Sequence, residues 1–258
     1  MRMMVYSDLH LEFGADFSPA VNSDADMMIL AGDIITFRDY TPLSLFLQEW
    51  RKPVLYVTGN HEYYTRIPME EENQNFRLWL SNTHSNVVLL QDESVTIDGV
   101  HFFGGTMWTD FSSENHQAMA IAQQQMNDYY YMMSSPGRLL KPHDTVALHK
   151  SFASRLRAWF EEDLEGPRVV ITHHAPVINP RTQHHASPLT PAFNSLDMVA
   201  IIETYQPTLW VYGHTHECDD QRIGNTRMIS NQLGYPQPGG GFECREFDPA
   251  GLSVEIGA

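Results

Sequence analysis

The fold of this chain is decided by the stretch MMVYSDLH, residues 3–10, in which an apolar run ends in Asp8-Leu9-His10. Four more polar segments follow apolar runs in the same way. They are Gly32-Asp33, Gly59-Asn60-His61-Glu62, Thr172-His173-His174 and Gly213-His214-Thr215-His216. Strands that end beside carboxylate, amide and imidazole groups at five places indicate one edge of a sheet that bears a metal site.

The apolar runs before these segments predict the strands of the sheet. After the strand at residues 3–7 come four more runs, at 27–31, 54–57, 169–171 and 209–212. Between the second and third runs, Thr41-Pro42 is typical of a helix start. An apolar face at Leu43, Phe46, Leu47 and Trp50 follows it at helical spacing. This alternation of strand and helix predicts a βαβ unit.

The remaining segments complete the predicted order of elements. The residue pattern predicts helices at about 68–80, over 113–133, from Asp144 through Phe160, and a short one near Leu196 to Ala200. It also predicts a strand at 87–90, two short strands within 95–103 joined by a hairpin turn at Asp98-Gly99, and a β-rich tail at 226–230, 242–247 and 252–256. Because no repeat or long linker interrupts the 258 residues, we expect one domain over 1–258.

Composition limits the classes of function and location. The formal charge of −16, with no cluster of Lys and Arg, argues against a broad nucleic-acid surface. A negative protein also repels phosphate esters unless the site carries its own cations, which two divalent metals would supply. The apolar runs are shorter than the ~18 residues that a membrane span needs. With no room for a signal before Asp8 and only 2 cysteines, we expect a cytoplasmic protein without a disulfide framework.

The number of polar candidates indicates more than one metal ion. Seven side chains exceed the ligands that one tetrahedral ion uses, so we expect two ions roughly 3.5–4 Å apart. A carboxylate can bridge two ions, whereas a neutral imidazole cannot. Asp, Asn and His ligands serve Mn2+, Fe2+ or Fe3+, Zn2+ and Ni2+ alike, so the residues leave the metal undetermined. The candidates are Asp8, His10, Asp33, Asn60, His173, His214 and His216.

The five segments, in this order, resemble the motifs of the calcineurin-like metallophosphoesterase family: D-x-H, G-D, G-N-H-[DE], H and G-H-x-H. The resemblance covers residues 5–216 and every motif position is present. A single D-x-H is a weak signal, but all five in order are specific. The resemblance implies an α/β fold, a four-layer αββα sandwich of two mixed sheets flanked by helices, with the dinuclear site at the strand ends.

The same resemblance implies the role of each motif residue. Asp8, His10 and His216 would bind one metal. Asn60, His173 and His214 would bind the other, and Asp33 would bridge the two. His61 would not bind metal but would protonate the leaving group or stabilise the transition state. With Asp33 and Asn60 it forms the expected catalytic group, and a metal-bridging hydroxide would attack phosphorus in line, without a phosphoenzyme.

Other residues are weaker candidates. In the loop after the fourth segment, Arg181, His184, Asn179 and His185 could face substrate, as could His174, although a solvated loop is the simpler interpretation. Glu62 could orient a histidine or be a solvated acid. Trp108 and Tyr63-Tyr64 could stack a base or pack in the core, and a buried thiol is the expected state of Cys218.

The leading functional hypothesis is an intracellular phosphohydrolase that acts on a small phosphate ester, with a diester favoured over a monoester. Two alternatives belong to the same family: a nuclease for single-stranded DNA or RNA, and a protein phosphatase. A non-catalytic scaffold is disfavoured because every motif residue is in place. The natural substrate and the oligomeric state do not follow from the sequence.

Overall fold

The computed structural model describes residues 1–14, 18–19, 23–184 and 187–257. Its strands are β1 Arg2–Tyr6, β2 Met27–Ala31, β3 Val54–Val57, β4 Val87–Leu90, β5 Glu93–Ile97, β6 Val100–Gly105, β7 Met133–Ser135, β8 Arg138–Leu139, β9 Arg168–Thr172, β10 Leu209–Val211, β11 Asp219–Ile223, β12 Thr226–Ser230 and β13 Leu252–Glu255. Its right-handed α-helices are Thr41–Leu47, Met69–Thr83, His116–Gln125, Asp128–Tyr131, Pro142–Phe160, Thr190–Phe193 and Met198–Tyr205. Short 3-10 helices lie at Leu11–Phe13 and His61–Tyr63, and Phe111–Glu114 forms one helical turn with left-handed φ angles. None of the helices in these ranges has the length and apolar character that crossing a bilayer requires.

Two mixed sheets form the centre of the molecule. One has the strand order β13-β1-β2-β3-β4, in which β1 to β4 are parallel and β13 runs antiparallel to β1. The other has the order β11-β12-β10-β9-β6-β5, with four parallel strands between antiparallel edges. A small hairpin of β7 and β8 lies apart from both.

Three apolar clusters show how these layers stack. The middle cluster joins side chains of both sheets, such as Val5 and Ile29 from one and Phe102 and Ile171 from the other. Alternate residues of each sheet face outward, where the helices cover them. The prediction of two mixed sheets flanked by helices is therefore confirmed.

The prediction of one continuous helix over residues 113–133 is wrong. The structure has the helix His116–Gln125, a break, the helix Asp128–Tyr131 and then β7. Met126 and Met132 have extended backbone angles and end the two helices. The apolar residues between Met119 and Met133 recur every three or four positions, as in a helix. The tertiary contacts of Asp128, described below, nevertheless determine the path of the chain.

The predicted strand over residues 242–247 is also absent, and the sequence reading missed the strand β11. Strand β11 pairs antiparallel with β12 at the edge of its sheet, so its mixed polar sequence carries little apolar alternation. The long helix begins at Pro142 instead of Asp144, and the backbone N–H of Lys141 donates to the Asp144 carboxylate there. Helix starts are set by such caps and by proline at the first position.

Candidate metal centre

Five parallel strands deliver the motif residues to one place. In the first sheet β1, β2 and β3 are parallel neighbours, and in the second β9 and β10 are. The segments that follow them lie at the carboxyl ends of these strands, where the edges of the two sheets meet. The seven candidate ligands therefore converge although the first and last are more than 200 positions apart in the sequence.

One group of candidates contains Asp8, His10, Asp33 and His216, whose ligand atoms lie within 4.8 Å of one another. The Nε2 atoms of His10 and His216 are 3.1 Å apart. His216 Nε2 lies 3.4 Å from Asp8 Oδ1, and His10 Nε2 lies 3.9 Å from Asp33 Oδ2.

A second group contains Asp33, His173 and His214, also within 4.8 Å. His173 Nε2 lies 3.4 Å from Asp33 Oδ1, and 3.1 Å from both His214 Nδ1 and the amide oxygen of Asn60. Asp33 belongs to both groups and uses one carboxylate oxygen toward each. The geometry thus places one carboxylate between two sets of nitrogen and oxygen ligands.

These residues fit divalent cations on chemical grounds. The ring nitrogen Nδ1 of His173 lies 3.0 Å from the carbonyl of Ala31, which can accept a hydrogen bond from Nδ1–H and leave the Nε2 lone pair pointing into the site. Two pairs of ring nitrogens face each other at 3.1 Å beside the carboxyl groups of Asp8 and Asp33, an arrangement that a shared cation satisfies. Among the described residues, the buried His214 Nε2 has no hydrogen-bond partner. Imidazole, carboxylate and amide groups are ligands for zinc, manganese, iron and nickel.

The electrostatics of the site also favour positive charge. Burial opposes ionisation of Asp33, but the imidazoles of His173 and His61 outweigh it and hold the pKa of Asp33 well below its usual range. Burial likewise opposes protonation of His173, yet Asp33 raises the pKa of that ring to about 9. By contrast, burial beside His174 and His173 keeps the pKa of His214 well below its usual range.

The backbone at the site is conformationally unusual. Five of the seven candidate ligands have left-handed φ angles: Asp8, His10, Asp33, His214 and His216. Such angles are uncommon outside glycine and cluster at functional sites, where surrounding contacts hold them. The neighbouring glycines make room, because a Cβ at Gly59 would collide with the Asp33 carboxylate and one at Gly213 with Ser7.

Glu62 neither orients a histidine nor faces solvent; it holds the backbone of two motifs in place. Its carboxylate is fully buried and accepts hydrogen bonds from the backbone N–H groups of Asp33, Ile34 and Gly59 at 2.7–3.0 Å. The Tyr56 hydroxyl donates a further bond of 2.7 Å. Burial, with the nearby Asp33 charge, raises the pKa of Glu62 to about 7. Glu62 therefore ties the second and third motifs together.

His61 lies between two residues that the sequence analysis did not single out. Its Nδ1 is 3.1 Å from Glu12 Oε1, and its Nε2 is 2.6 Å from the Tyr235 hydroxyl. Burial opposes protonation of His61, but Asp33 and Glu12 outweigh it and raise its pKa. Glu12 lies two residues after the first motif, and that proximity is the only sequence signal for it. Tyr235 has no motif context.

Asp128 is a third residue of the site that the sequence analysis did not single out. It is buried, and the Asn60 side-chain NH2 donates to its Oδ1 at 2.9 Å. The same NH2 group donates to the Tyr64 hydroxyl at 2.9 Å. These two bonds direct the Asn60 amide oxygen toward His173. The break between the two short helices places Asp128 here.

The candidate ligands open into a cavity of about 630 Å3. Asp33, Asn60, His214 and His216 form part of its wall, together with Tyr64 and Tyr235. Of the expected substrate contacts, His184 lies in the wall.

The other expected contacts lie elsewhere. Arg181 donates to the Cys218 carbonyl at 3.2 Å and pairs with Glu246 in a neighbouring groove. His174 is buried behind His214 with its Nδ1 3.1 Å from the Thr106 carbonyl, and burial lowers its pKa to about 3. Asn179 is buried and donates to the Cys218 carbonyl, while His185 lies outside the described residues.

The aromatic candidates divide between core and cavity. Trp108 is buried against His174, with ring centroids 5.1 Å apart, and Tyr63 is buried within hydrogen-bond distance of Thr58. These two residues pack in the core, as the alternative interpretation held. Tyr64 alone of the three reaches the cavity wall.

Comparison with known proteins places these features in a family. The uncharacterized protein L509 of Acanthamoeba polyphaga mimivirus is 28% identical over 286 aligned positions, covering 96% of this chain and 95% of that protein. The phosphopantetheinyl hydrolase PptH of Mycobacterium tuberculosis has a similar fold, with a TM-score of 0.68 and 21% identity over 90% of this chain and 89% of that one. A dimetal phosphatase from Danio rerio matches with a TM-score of 0.53 and 13% identity over 90% and 87% of the two chains. Residues 1–218 match the model of the calcineurin-like phosphoesterases, and the chain belongs to that family.

Proposed function

We propose that this protein is a metal-dependent phosphodiesterase that hydrolyses a small phosphodiester. The observation that carries the proposal is the pair of ligand groups that share Asp33 at the wall of one cavity, with His61 beside them. Asp8, His10 and His216 would hold one ion, and Asn60, His173 and His214 the other. Divalent ions held there would neutralise phosphate charge and activate a water for attack on phosphorus.

His61 would supply the proton that the leaving group needs. The Glu12 carboxylate can accept a hydrogen bond from Nδ1–H, which fixes the ring and favours its charged form. Tyr235 lies at the other nitrogen, in the cavity wall, so the substrate oxygen would meet His61 next to this hydroxyl. Direct attack on phosphorus without a phosphoenzyme, implied by the resemblance, stays a prediction.

The preference for a diester is supported by a second cavity. A pocket of about 200 Å3 adjoins the main one and shares Leu189 and Phe193 with it. A diester carries two organic groups, and the two cavities offer a place for each. The fold similarity to a phosphopantetheinyl hydrolase makes a phosphopantetheinyl ester one substrate to test.

A small ester, and not a polymer, is the substrate class that the charge supports. With a formal charge of −16, the chain has little to attract nucleic acid beyond the metal centre itself. We infer a cytoplasmic enzyme whose partner is a small phosphate ester.

The test compares hydrolysis of bis(p-nitrophenyl) phosphate and p-nitrophenyl phosphate by protein that is first chelated and then supplied with Mn2+, Fe2+, Zn2+ or Ni2+. Asp33→Asn is the blank, and Asp98→Asn is the matched control, because Asp98 is exposed and also has a left-handed φ. We expect metal-dependent turnover with a higher kcat/KM for the diester, lost in the first variant and kept in the second.

Other results would redirect or overturn the proposal. A monoester preference, followed by turnover of phosphopeptides, would favour the protein phosphatase alternative. Cleavage of single-stranded DNA or RNA with no turnover of small diesters would favour the nuclease. Metal-dependent turnover that persists in Asp33→Asn would show that the site assigned here is not the catalytic one.

A further inference from the structure

The two cysteines of the chain lie side by side next to the metal centre. The Cys244 thiol donates to the Cys218 sulfur, and the two Sγ atoms are 2.9 Å apart. A disulfide bond is about 2.05 Å long, so a movement of roughly 1 Å would bring these sulfurs to bonding distance. Both cysteines are free thiols in the structure.

The backbone around the cysteines holds them in this position. The Cys218 N–H donates to the Cys244 sulfur at 3.3 Å, and the Cys218 thiol donates to the Gln232 carbonyl at 3.5 Å. The Cys244 N–H donates to the Leu233 carbonyl at 3.2 Å. The closeness of the sulfurs is therefore a property of two anchored chain segments, and not of one freely rotating side chain.

One of these segments forms part of the cavity wall. We call residues 233–244 the wall segment; it lies beyond the part of the chain that matches the family, which ends at residue 218. Its Glu243 carboxylate contacts His216 Nδ1 and accepts a 3.0 Å bond from the Tyr235 N–H. Tyr235 in turn meets His61. A covalent link at Cys244 would hold both contacts in place.

We propose that Cys218 and Cys244 form a reversible disulfide on exposure to a peroxide, and that this bond clamps the wall segment onto the metal centre. This inference goes beyond the proposed phosphodiesterase function and does not depend on it. It concerns a modification of the chain whose readouts need no substrate.

The chemistry balances with hydrogen peroxide as oxidant. One sulfur attacks a peroxide oxygen, the O–O bond breaks, and a sulfenic acid and one water are formed. The second sulfur then attacks the first, the S–O bond breaks, and the S–S bond forms with release of a second water. The two thiols lose two electrons and peroxide gains them. A dithiol reductant reverses the bond by exchange.

Two further observations support Cys244 as the first sulfur to react. It is only partly buried, whereas Cys218 is buried. Contact with the Cys218 side chain, together with the backbone N–H of Cys218, outweighs burial and lowers the pKa of Cys244 to about 7. The neighbouring thiol then lies where a resolving cysteine must lie.

The experiment treats the full chain with hydrogen peroxide and measures free thiols, intact mass, thermal unfolding and trypsin cleavage after the exposed Arg245. We expect both thiols to disappear with loss of two hydrogens in mass. The disulfide would join residues 26 positions apart and so restrict the unfolded chain. We therefore also expect Tm to rise by about 5 °C or more. Cleavage after Arg245 should slow several-fold, and dithiothreitol should reverse all four changes.

Cys244→Ser and Cys218→Ser are the matched variants, and either suffices if the other folds poorly. Each should retain one thiol that peroxide takes to a sulfenic or sulfinic acid, with no rise in Tm. The inference is overturned if oxidised wild-type protein keeps two titratable thiols, gains oxygen instead of losing hydrogen, or links only between molecules.

Discussion

Asp33 and Asp92 occupy equivalent places in the fold and have opposite properties. Each lies two residues past the end of a strand, β2 and β4, in the same sheet, and each has a left-handed φ, 53° and 56°. The pKa of Asp33 is held well below its usual range, with His173 and His61 outweighing its burial. Burial raises the pKa of Asp92 to about 6, with Arg155 only partly opposing it.

The difference lies in what the opposite sheet brings to each strand end. Opposite β2, the ends of β9 and β10 supply His173 and His214. Opposite β4, the end of β6 supplies Gly105, where a Cβ would collide with the Asp92 carboxylate. A carboxylate at a strand end is thus a candidate ligand only where the facing strands carry imidazoles, which is why one aspartate of this pair belongs to a motif and the other does not.

The largest effect should come from Asp33→Asn. It removes the carboxylate that both ligand groups share, so we expect kcat/KM to fall by about 10³-fold or more, roughly 4 kcal/mol of transition-state stabilisation. Bound metal, measured by elemental analysis after gel filtration, should fall as well. Asp92→Asn is the control from the equivalent position and should retain both metal and activity; loss of metal there would remove the distinction between the two strand ends.

A smaller effect is expected for Glu12→Gln, which keeps a hydrogen-bond acceptor for His61 but removes the charge. We expect kcat to fall about 10–100-fold, because His61 is then less often in its charged form. Metal content and KM should stay near those of the wild type, and the exposed Glu70→Gln serves as control. A variant that loses metal in proportion to activity would assign Glu12 to the metal centre instead.

Asp92→Asn should stabilise the protein in a defined pH range. Because the folded-state pKa of Asp92 is raised to about 6 from 3.8, the folded state loses stability as pH rises between these values. Above pH 6 the substitution should raise the free energy of unfolding by about 1–2 kcal/mol, and below pH 4 the gain should vanish. Urea unfolding at pH 4 and pH 8 checks this; an equal gain at both pH values would contradict the charge argument.

Tyr235→Phe should have the smallest effect. It removes only the hydroxyl that meets His61 Nε2, and a single hydrogen bond contributes about 0.5–1.5 kcal/mol, so kcat/KM should change by less than about 10-fold. Tyr130→Phe, which removes an exposed hydroxyl bonded to the Gln124 carbonyl, is the matched control. An effect as large as that of Asp33→Asn would place the hydroxyl directly in the chemistry.

The strand ends were predictable because their order in the chain and the apolar runs before them are local features. The bounds predicted for β2, β3, β4 and β12 are those of the structure. Parallel pairing then brings the ends of β1, β2 and β3 together without any further information. The family pattern added the pairing of Asp33 with residues on the second sheet.

The walls of the site were not predictable, because they depend on contacts between distant segments. Asp128 enters the site through a break in an apolar pattern that reads as one helix, and neither proline nor glycine marks that break. The segment at 242–247 reads as a strand, but its Glu243 turns to His216 and the backbone forms no ladder. Tertiary contacts override local preference at both places.

The bond from the His214 N–H to Asp8 Oδ1 joins residues 206 positions apart, and it has a consequence for the emerging polypeptide. During synthesis on the ribosome, the first motif is exposed long before the last one exists. The candidate metal centre can be completed only after β10 has been translated and docked beside β9. Folding by way of such distant contacts is slow, so early strands such as β1 need protection from wrong pairing until then.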